Sequence, residues 1–227
     1  LCSVYRNSVL KEVKMAIESI LNGSETPDEI IVVIDGLIDN NLKRYLLSLE
    51  ESKKIKTLTN TFNLGLGLAL SHGLKNCSGD LICRFDTDDI NLYDRIKISK
   101  EAFKKNTKLD VFSSSVLEII PSKKKTVDCN LKFLPTSDKS IKSTLEIRNS
   151  INHPSVIFKK DLALKLGSYE DVKFFEDYYL WLKFRKNKCT FKNTKEPLVI
   201  MRREDPSQRR LGLKYAVYEF KFYLKVL

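Results

Sequence analysis

Apolar residues follow two alternating patterns in the first half of the chain. Over residues 9–21 they recur every three or four positions, the spacing of an amphipathic helix, and Asn22-Gly23 supplies a helix stop. Residues 29–34 form a continuous, mainly β-branched run, which is typical of a strand buried on both faces. Because helical and strand patterns keep alternating to residue 119, we predict an α/β fold with a doubly wound, mostly parallel sheet.

The second half of the chain is less regular than the first. We expect residues 120–135 to form a charged loop and the final segment to form a basic, aromatic helix. In full, the patterns predict helices over residues 9–21, 42–49, 64–74, 92–103, 138–149, 161–166, 176–185 and 211–227, and strands over residues 1–5, 29–34, 54–58, 80–85, 109–119, 154–158, 189–192 and 198–201.

Composition places the chain among ordinary globular proteins. Of its 227 residues 42% are hydrophobic and 30% are charged, and no apolar stretch approaches the ~18 residues of a membrane span. No signal peptide is visible, and because residues 1–5 begin within a strand we expect a few N-terminal residues to be missing. The five cysteines are scattered and never form a C-x-x-C pair, which disfavours disulfide and zinc frameworks and favours a cytoplasmic setting.

The net charge of +11 is compatible with nucleic acid, an anionic membrane or a phosphate-bearing substrate as partner. Basic and aromatic residues do not interleave in an RNA-binding pattern, so we expect no nucleic-acid partner. The helix expected over residues 211–227 is compatible with peripheral contact with a membrane and equally with packing against the rest of the domain.

Three acidic residues follow the apolar run of the strand at residues 80–85. Asp86, Asp88 and Asp89 stand where the carboxyl end of this strand should meet solvent. A helix N-cap accounts for one aspartate there but not for three. Like charges held together repel one another, and a divalent cation removes the repulsion, with Mg²⁺ or Mn²⁺ suited to such oxygen ligands. The sequence therefore predicts a metal–diphosphate site at this strand end.

A further aspartate, Asp35, follows the strand at residues 29–34. Asp35-Gly36 is a common turn pair, but a carboxylate there could also accept hydrogen bonds from the imide of a uracil or thymine base. Residues 63–69 resemble a dinucleotide fingerprint that follows a strand and opens a helix. Its sixth position is Leu70 and it lies outside the first βα unit, so we expect a tight turn beside the crevice rather than an NAD site.

Three other groups of residues have both a structural and a functional interpretation. His153 precedes an apolar strand, where it could serve packing or contact a diphosphate or metal. Glu176 and Asp177 open an aromatic helix, where acids complement the helix dipole; one of them in a partly apolar site could be a general base. The Arg202-Arg203 and Arg209-Arg210 pairs could be surface charge or bidentate clamps on phosphate.

Taken in order, these elements resemble a bacterial family 2 glycosyltransferase of the GT-A fold, and are most similar to transferases that assemble amylovoran-like exopolysaccharide or O-antigen. The resemblance covers nearly the whole chain. It is carried by Ser3-Val4-Tyr5, the helix to Asn22, residues 29–36, Asn63-Leu64-Gly65, Gly79-Asp80, residues 86–89, Asn152-His153-Pro154, residues 176–181 and the final Arg-Arg-Leu-Gly-Leu-Lys-Tyr.

The resemblance implies a role for each matched position. Asp35 would contact the base in a pocket shared with Tyr5, Asp86 would lie near the ribose, Arg84 would orient the acidic strand end, and His153 would approach the diphosphate. The implied site is therefore Tyr5, Asp35, Asn63, Arg84, Asp86, Asp88, His153 and Arg209 for the nucleotide sugar, Asp88 and Asp89 for Mn²⁺ or Mg²⁺, and Asp177, supported by Glu176, as the catalytic base.

The implied activity is metal-dependent, inverting transfer of one sugar. The donor would be a nucleotide-diphosphate sugar, with UDP favoured, and the acceptor a glycan or a polyprenyl-diphosphate-linked saccharide at the inner face of the cell membrane. Residues 1–227 would form a single GT-A domain, with residues 1–120 as the nucleotide-sugar half and residues 121–227 as a less regular acceptor half.

The chain departs from the family pattern in three respects, the first being a shortened first strand that removes part of the expected base pocket. Only Asp35 stands where paired acids are usual, and the Gln-x-x-Arg-Trp motif of processive synthases is replaced by Gln208-Arg209-Arg210-Leu211, which favours single-sugar transfer. Two other functions stay open. A nucleotidyltransferase also uses carboxylates and Mg²⁺ but normally needs a phosphate-gripping loop that is not seen, and a catalytically silent nucleotide-sugar-binding module has the same site.

Overall fold

The computed structural model describes residues 1–121, 127–202 and 213–226. A 3₁₀ turn spans His153–Ser155. Within the described residues the strands are β1 (Cys2–Val4), β2 (Ile31–Asp35), β3 (Lys56–Asn60), β4 (Leu81–Cys83), β5 (Ile90–Asn91), β6 (Val111–Pro121), β7 (Val127–Lys132), β8 (Ile157–Lys159) and β9 (Phe191–Arg202), and the helices are α1 (Leu10–Leu21), α2 (Asn40–Glu51), α3 (Leu66–Asn76), α4 (Arg95–Lys105), α5 (Asp138–Leu145), α6 (Lys160–Lys165), α7 (Glu176–Lys186) and α8 (Leu213–Val226).

Two sheets meet at the amino end of the chain. The first has the order β1-β2-β3 with all strands parallel, and the second has the order β4-β8-β6-β9-β5, with β7 paired to β6. The Leu1 nitrogen donates to the carbonyl of Cys83 at 2.8 Å, and the Phe85 N–H donates to the carbonyl of Leu1 at 3.2 Å, as between neighbouring parallel strands. The carboxyl ends of β2 and β4 therefore face the same edge.

The strand β2 lies at the centre of the first sheet because both of its faces are apolar. All five of its residues are buried. Ile31 and Val33 point into one core cluster with α3, while Val32 and Ile34 point into another with α1 and α2. Because side chains alternate along a strand, one β-branched run supplies both layers. The prediction of a strand buried on both faces is confirmed.

The α/β class predicted from the sequence is confirmed, but parallel pairing extends less far than expected. In the second sheet only β6 and β9 are parallel, while the pairs β4–β8, β5–β9, β6–β7 and β6–β8 are antiparallel. The expected loop over residues 120–135 is wrong for residues 127–132, which form β7. Short exposed hairpin strands carry little periodic signal, so pairing with β6 decides their conformation.

The two short strands expected near residues 189–192 and 198–201 are one continuous strand, β9. Its pairing with β6 is irregular where Ser115 lies opposite Pro197. Proline cannot donate to a ladder, so the sequence indicates a break there, whereas the structure accommodates it as an irregularity within one strand. The continuity matters for the site, because β9 carries its last residue, Arg202, to the acidic cluster.

The C-terminal helix α8 packs one face against the start of α7. Phe222 is buried, and its ring stacks on Phe175 with centroids 4.7 Å apart. Tyr215 and Tyr218 lie against Phe174 at 5.7 and 5.5 Å. Packing against the domain, one of the two alternatives for this helix, is therefore observed. None of the helices in the described parts of the chain is long and apolar enough to cross a membrane.

Replacing Gly67 with alanine should destabilise the fold. In a helix interior this change usually stabilises by about 1 kcal/mol. Here the new Cβ would overlap the carbonyl oxygen of Glu170 and lie 3.1 Å from the Cβ of Glu176. We therefore expect Gly67→Ala to lower the free energy of unfolding by about 1–3 kcal/mol, measured by urea denaturation.

The control for this prediction is Gly79→Ala. A Cβ at Gly79 would meet only the carbonyl oxygen of Leu81, at an ordinary 3.7 Å. This variant should unfold close to the wild-type midpoint. If Gly67→Ala were as stable as Gly79→Ala, the close approach of α3 to the start of α7 would be contradicted.

Candidate active site

Three carboxylates converge directly after β4. One ligand oxygen from each of Asp86, Asp88 and Asp89 can be chosen so that all three atoms lie within 4.8 Å of one another. Asp89 is only 3% exposed, whereas Asp86 and Asp88 are partly exposed. The cluster is therefore open to solvent on one side and anchored in the protein on the other.

A buried arginine holds the first of these carboxylates. Arg84 is 2% exposed, and its two terminal nitrogens form a bidentate ion pair with Asp86. The backbone N–H of Arg84 donates to the carbonyl of Val156 at 3.1 Å, which fixes this strand end against the segment that leads into β8. The orienting role of Arg84 stays a prediction.

The surroundings of Asp89 disfavour its ionised form. Burial raises its pKa to about 8, and the charges of Asp86 and Asp88 act in the same direction. The backbone N–H of Arg202 donates to Asp89 Oδ1 at 2.8 Å and opposes the shift, as does the charge of Arg84. The Arg202 N–H and the charge of Arg84 thus do not compensate for burial and for the two neighbouring carboxylates, so the ionised form of Asp89 remains disfavoured.

The donor set fits a divalent cation. Asp88 and Asp89 offer hard carboxylate oxygens beside Asp86, which is already paired with Arg84. An added positive charge would favour the ionised form of Asp89, which burial and its acidic neighbours disfavour. These residues therefore suit Mg²⁺ or Mn²⁺.

Asp35 is buried at the end of β2 and ties down the turn before α3. It is 2% exposed, and its carboxylate accepts hydrogen bonds from Asn60 Nδ2, the Leu64 N–H and the Gly65 N–H, each at 2.9 Å. Asn63 Nδ2 donates to the Asp35 carbonyl at 3.2 Å. These hydrogen bonds hold the segment before α3 against the end of β2, while contact of Asp35 with a base stays a prediction.

An open pocket lies beside Asp35. The loops around it present two large apolar side chains to solvent, Leu37 at 90% exposure and Phe62 at 73%. Neither follows a helix or strand period, so sequence patterns could not single them out. Tyr5 follows β1 and is partly exposed, next to Arg6. The pocket is lined by Arg6, Asp35, Leu37, Thr61, Phe62 and Asn63.

Two neighbouring carboxylates open α7. Burial, and next the charge of Asp177, raise the pKa of Glu176 to about 7. The charges of Arg84 and Asp86 also act on Glu176, in opposite directions, so this helix start lies within electrostatic range of the cluster after β4. Asn149 Nδ2 donates to Asp177 Oδ2 at 2.8 Å. The first acid of α7 therefore lies within electrostatic range of Asp86, and Asp177 is the next residue along the helix.

His153 is buried beneath this region. Its Nε2 lies 2.9 Å from the hydroxyl of Tyr169, and its ring lies edge-on to Trp181 at 6.4 Å. Burial, with the charge of Arg84, holds the pKa of His153 well below its usual value, so the ring is neutral at neutral pH. The predicted approach to a diphosphate stays a prediction, and it would involve an uncharged ring.

The sequence-predicted residues thus form two groups. Arg84, the three aspartates, His153, Glu176 and Asp177 surround one region, while Asp35 and Asn63 line the neighbouring pocket. Arg209 lies outside the described residues, as do Arg203 and Arg210. The side chain of Arg202 does not reach toward phosphate but pairs with Glu12 at 2.5 Å. Sequence reasoning missed the Arg202 N–H and Asn149, because backbone donors and loop amides carry no periodic signal.

Comparison with protein families gives one match. Residues 2–162 match the family model described as glycosyl transferase family 2. The chain is 36% identical over 209 residues to a UDP-Gal:alpha-D-GlcNAc-diphosphoundecaprenol beta-1,3-galactosyltransferase of Escherichia coli, covering 91% of this chain and 74% of the relative. It is 29% identical over 224 residues to the amylovoran biosynthesis glycosyltransferase AmsE of Erwinia amylovora, covering 98% and 83%.

Solved structures share the fold. Staphylococcus aureus TarS 1-349 in complex with UDP-GlcNAc superposes with a TM-score of 0.73 at 15% identity, covering 99% of this chain and 65% of TarS. The mannosyltransferase PcManGT from Pyrobaculum calidifontis, in complex with GDP-Man and Mn²⁺, gives 0.63 at 12% identity, covering 99% and 61%. The chain spans a little under two thirds of these two structures, and the predicted GT-A type of fold is confirmed.

Replacing Asp89 with asparagine should stabilise the metal-free protein at pH 8. Folding raises the pKa of Asp89 to about 8. The stability that Asp89 contributes at low pH is therefore lost as the pH rises from the pKa of Asp89 in the unfolded chain to its pKa in the folded protein. The asparagine side chain keeps an oxygen for the Arg202 N–H but carries no charge. With EDTA present we expect a rise in Tm of about 2–4 °C at pH 8 and little change near pH 4.

The same variant tests the cation. Mn²⁺ should raise the Tm of the wild type at pH 8 and should have no such effect on Asp89→Asn, as measured by scanning calorimetry. Asp161→Asn, an exposed site with the same change of charge, serves as control and should respond like the wild type. A full Mn²⁺ response in Asp89→Asn would contradict the assignment of the cation to this cluster.

Proposed function

Since this chain belongs to glycosyl transferase family 2 and is therefore a glycosyltransferase, we propose that it transfers one sugar from a UDP-sugar to a lipid-linked saccharide, with inversion and with a divalent cation. The family match covers most of the chain. The observation that carries the finer proposal is the pair of half-buried carboxylates at the start of α7, the first of which, Glu176, lies within electrostatic range of Asp86 in the aspartate cluster after β4.

The donor would bind at the carboxyl ends of β2 and β4. The pocket beside Asp35 would take the base, with Leu37 and Phe62 as apolar walls, and Asp86 would lie near the ribose. Asp88 and Asp89 would hold Mn²⁺ or Mg²⁺. When bound, this cation would offset the charge that develops on the leaving diphosphate. The name of the Escherichia coli relative includes UDP-Gal, which supports UDP as the nucleotide.

The acceptor would be activated from α7. Asp177 would accept the proton of an acceptor hydroxyl, and the oxygen would attack the anomeric carbon from the face opposite the diphosphate. Glu176, whose pKa burial raises to about 7, would keep the pair from carrying two full charges near neutral pH. One displacement inverts an α-linked donor sugar to a β-linked product, which agrees with the beta-1,3 linkage in the relative's name.

Both halves of the chain contribute to this arrangement. Residues 1–120 supply the base pocket and the aspartate cluster, and residues 121–227 supply α7 and its neighbours, so we propose a single domain with a nucleotide-sugar half and an acceptor half. Family membership favours transfer over the nucleotidyltransferase alternative. A GlcNAc-diphosphate lipid is the acceptor to test first, because the name of the relative contains it.

The outer face of α8 would contact the membrane that carries such an acceptor. While Phe222 faces α7, Phe220 and Leu224 on the opposite side are 64% and 62% exposed, and Val217 is exposed beside them. A helix that is apolar on both sides needs cover on both. Lys221 is exposed next to this face, and the chain carries a net charge of +11, which complements an anionic bilayer.

Asp177→Asn should abolish transfer while leaving donor binding intact. We expect galactose transfer from UDP-galactose to a synthetic GlcNAc-diphosphate lipid to fall by about 10²-fold or more, because the amide cannot accept the proton. The affinity for UDP-galactose with Mn²⁺, measured by calorimetry, should stay within twofold of the wild type. Asp171→Asn, an exposed aspartate just before α7, is the matched control. Near-wild-type turnover in Asp177→Asn would show that another group is the base.

Membrane contact is tested by co-sedimentation with vesicles. The wild type should bind vesicles of phosphatidylglycerol more strongly than vesicles of phosphatidylcholine, and the double variant Phe220→Ser, Leu224→Ser should lose this binding. Phe133→Ser removes an equally exposed phenylalanine elsewhere and should bind like the wild type. Unchanged binding of the double variant would exclude the outer face of α8 as the contact.

A further inference from the structure

We propose that Asn149 is a positioning residue, which holds the carboxylate of Asp177 in the orientation and charge state that the transfer needs. The proposal rests on the proposed function, in which Asp177 is the base. Asn149 lies in the loop between α5 and the 3₁₀ turn at His153–Ser155, outside every motif that carries the family resemblance.

The amide of Asn149 has only one orientation that satisfies both of its ends. Its Oδ1 accepts a hydrogen bond from the N–H of Ile151 at 3.1 Å, and its Nδ2 donates to Asp177 Oδ2 at 2.8 Å. A flipped amide would place a nitrogen against the Ile151 N–H and an oxygen against a carboxylate. The donor of Asn149 is therefore held on Asp177 by the backbone of its own loop.

The loop that carries Asn149 is anchored on both sides. Ser150 is buried, and its hydroxyl donates to the carbonyl of Ile141 at 3.1 Å. The carbonyl of Ser150 accepts a hydrogen bond from Asn193 Nδ2 at 2.9 Å, which attaches the loop to β9. Ile151 is buried in the main core cluster. These contacts hold the backbone of the loop around Asn149 in place.

Helix α7 is registered against the same elements. The hydroxyl of Tyr178, the residue after Asp177, donates to the carbonyl of Leu145 at 2.7 Å. Further along the helix, Arg185 Nε donates to the carbonyl of Lys142 at 2.8 Å. Both partners lie in α5, directly before the loop of Asn149. The separation between Asn149 and Asp177 is thus set by contacts on either side of the pair.

The hydrogen bond has a chemical consequence for two adjacent acids. Glu176 and Asp177 are adjacent and half-buried at the start of α7, where the charge of Asp177 disfavours ionisation of Glu176. A donated N–H favours the ionised form of the group that accepts it. The hydrogen bond from Asn149 to Asp177 Oδ2 therefore favours the ionised form of Asp177, while the pKa of its neighbour Glu176 is raised to about 7. It also aims Oδ2 without adding a charge of its own.

The test compares Asn149→Ala and Asn149→Asp in the galactose-transfer assay across pH 5 to 9. Asn149→Ala should lower kcat by about tenfold or more, with the KM for UDP-galactose within twofold of the wild type, because the base loses its orientation while donor binding does not involve it. Asn149→Asp replaces the donor by a like charge, so the acid limb of its kcat profile should move upward by about one pH unit.

Asn106→Asp is the matched control. It introduces the same charge at the end of α4, where the carboxylate can still accept the hydrogen bond from the Lys108 N–H that Asn106 accepts at 3.1 Å. It should keep the wild-type kcat and pH profile. Circular dichroism melts establish that the variants are folded, and if Asn149→Asp unfolds, Asn149→Ser decides by the same split between kcat and KM.

The possible outcomes distinguish failure of the role of Asn149 from failure of the proposed function. If the wild type and Asn106→Asp transfer galactose and the folded Asn149 variants share their kcat and pH profile, the role of Asn149 is overturned and that of Asp177 stands. If the wild type transfers no sugar from any UDP-, GDP- or dTDP-linked donor to the lipid acceptor, the proposed function fails, and the inference fails with it.

Discussion

The ion pair between Arg84 and Asp86 is the interaction on which the rest of the site depends. Arg84 is almost fully buried, and its charge acts on the pKa values of Asp89, Glu176, His153 and Tyr169. Burying a charged pair is a poor way to gain stability, because desolvation offsets most of the attraction. At this place it allows acidic groups from two distant parts of the chain to lie close together. A second buried guanidinium, that of Arg95, donates a hydrogen bond to the backbone carbonyl of Arg84 and so helps to fix the backbone at that residue.

A short path of contacts connects the pocket beside Asp35 with the start of α7. Asp35, at the end of β2, binds the N–H groups of the turn that opens α3. Two residues later, Gly67 allows α3 to approach the backbone of Glu170 and the side chain of Glu176. The residues that Asp35 holds and the glycine that approaches Glu176 therefore lie within one helical turn of each other at the start of α3. Asp35 thus fixes the segment before α3 through three internal hydrogen bonds, and its contact with a base stays a prediction.

The parts of this arrangement that could be predicted from sequence are those with a local signal. The runs before Asp35 and Asp86 are apolar and end abruptly in acids, so the place of these acids at the carboxyl ends of buried strands follows from pattern alone. The continuity of β9, the existence of β7 and the N–H of Arg202 on Asp89 depend on pairing between strands far apart in sequence, and no local pattern reveals them. Asn149 and the exposed apolar rim of Leu37 and Phe62 lie in loops, where residue type alone indicates little. The expected roles of individual residues follow from a family resemblance. The structure adds the hydrogen bonds and ion pairs that each of these residues forms.

We propose that the aspartates after β4 and the acids at the start of α7 face one cation-dependent reaction centre. Because Mn²⁺ is paramagnetic and broadens the NMR signals of nearby nuclei, a ¹⁵N-labelled sample titrated with Mn²⁺ in the presence of UDP tests this directly. We expect the amide signals of residues 86–89 and of Arg202 to disappear first, followed by those of Glu176 and Asp177, while signals from exposed sites such as Asp161 persist. Broadening that spares residues 86–89, or that spreads evenly over the surface acids, would contradict it.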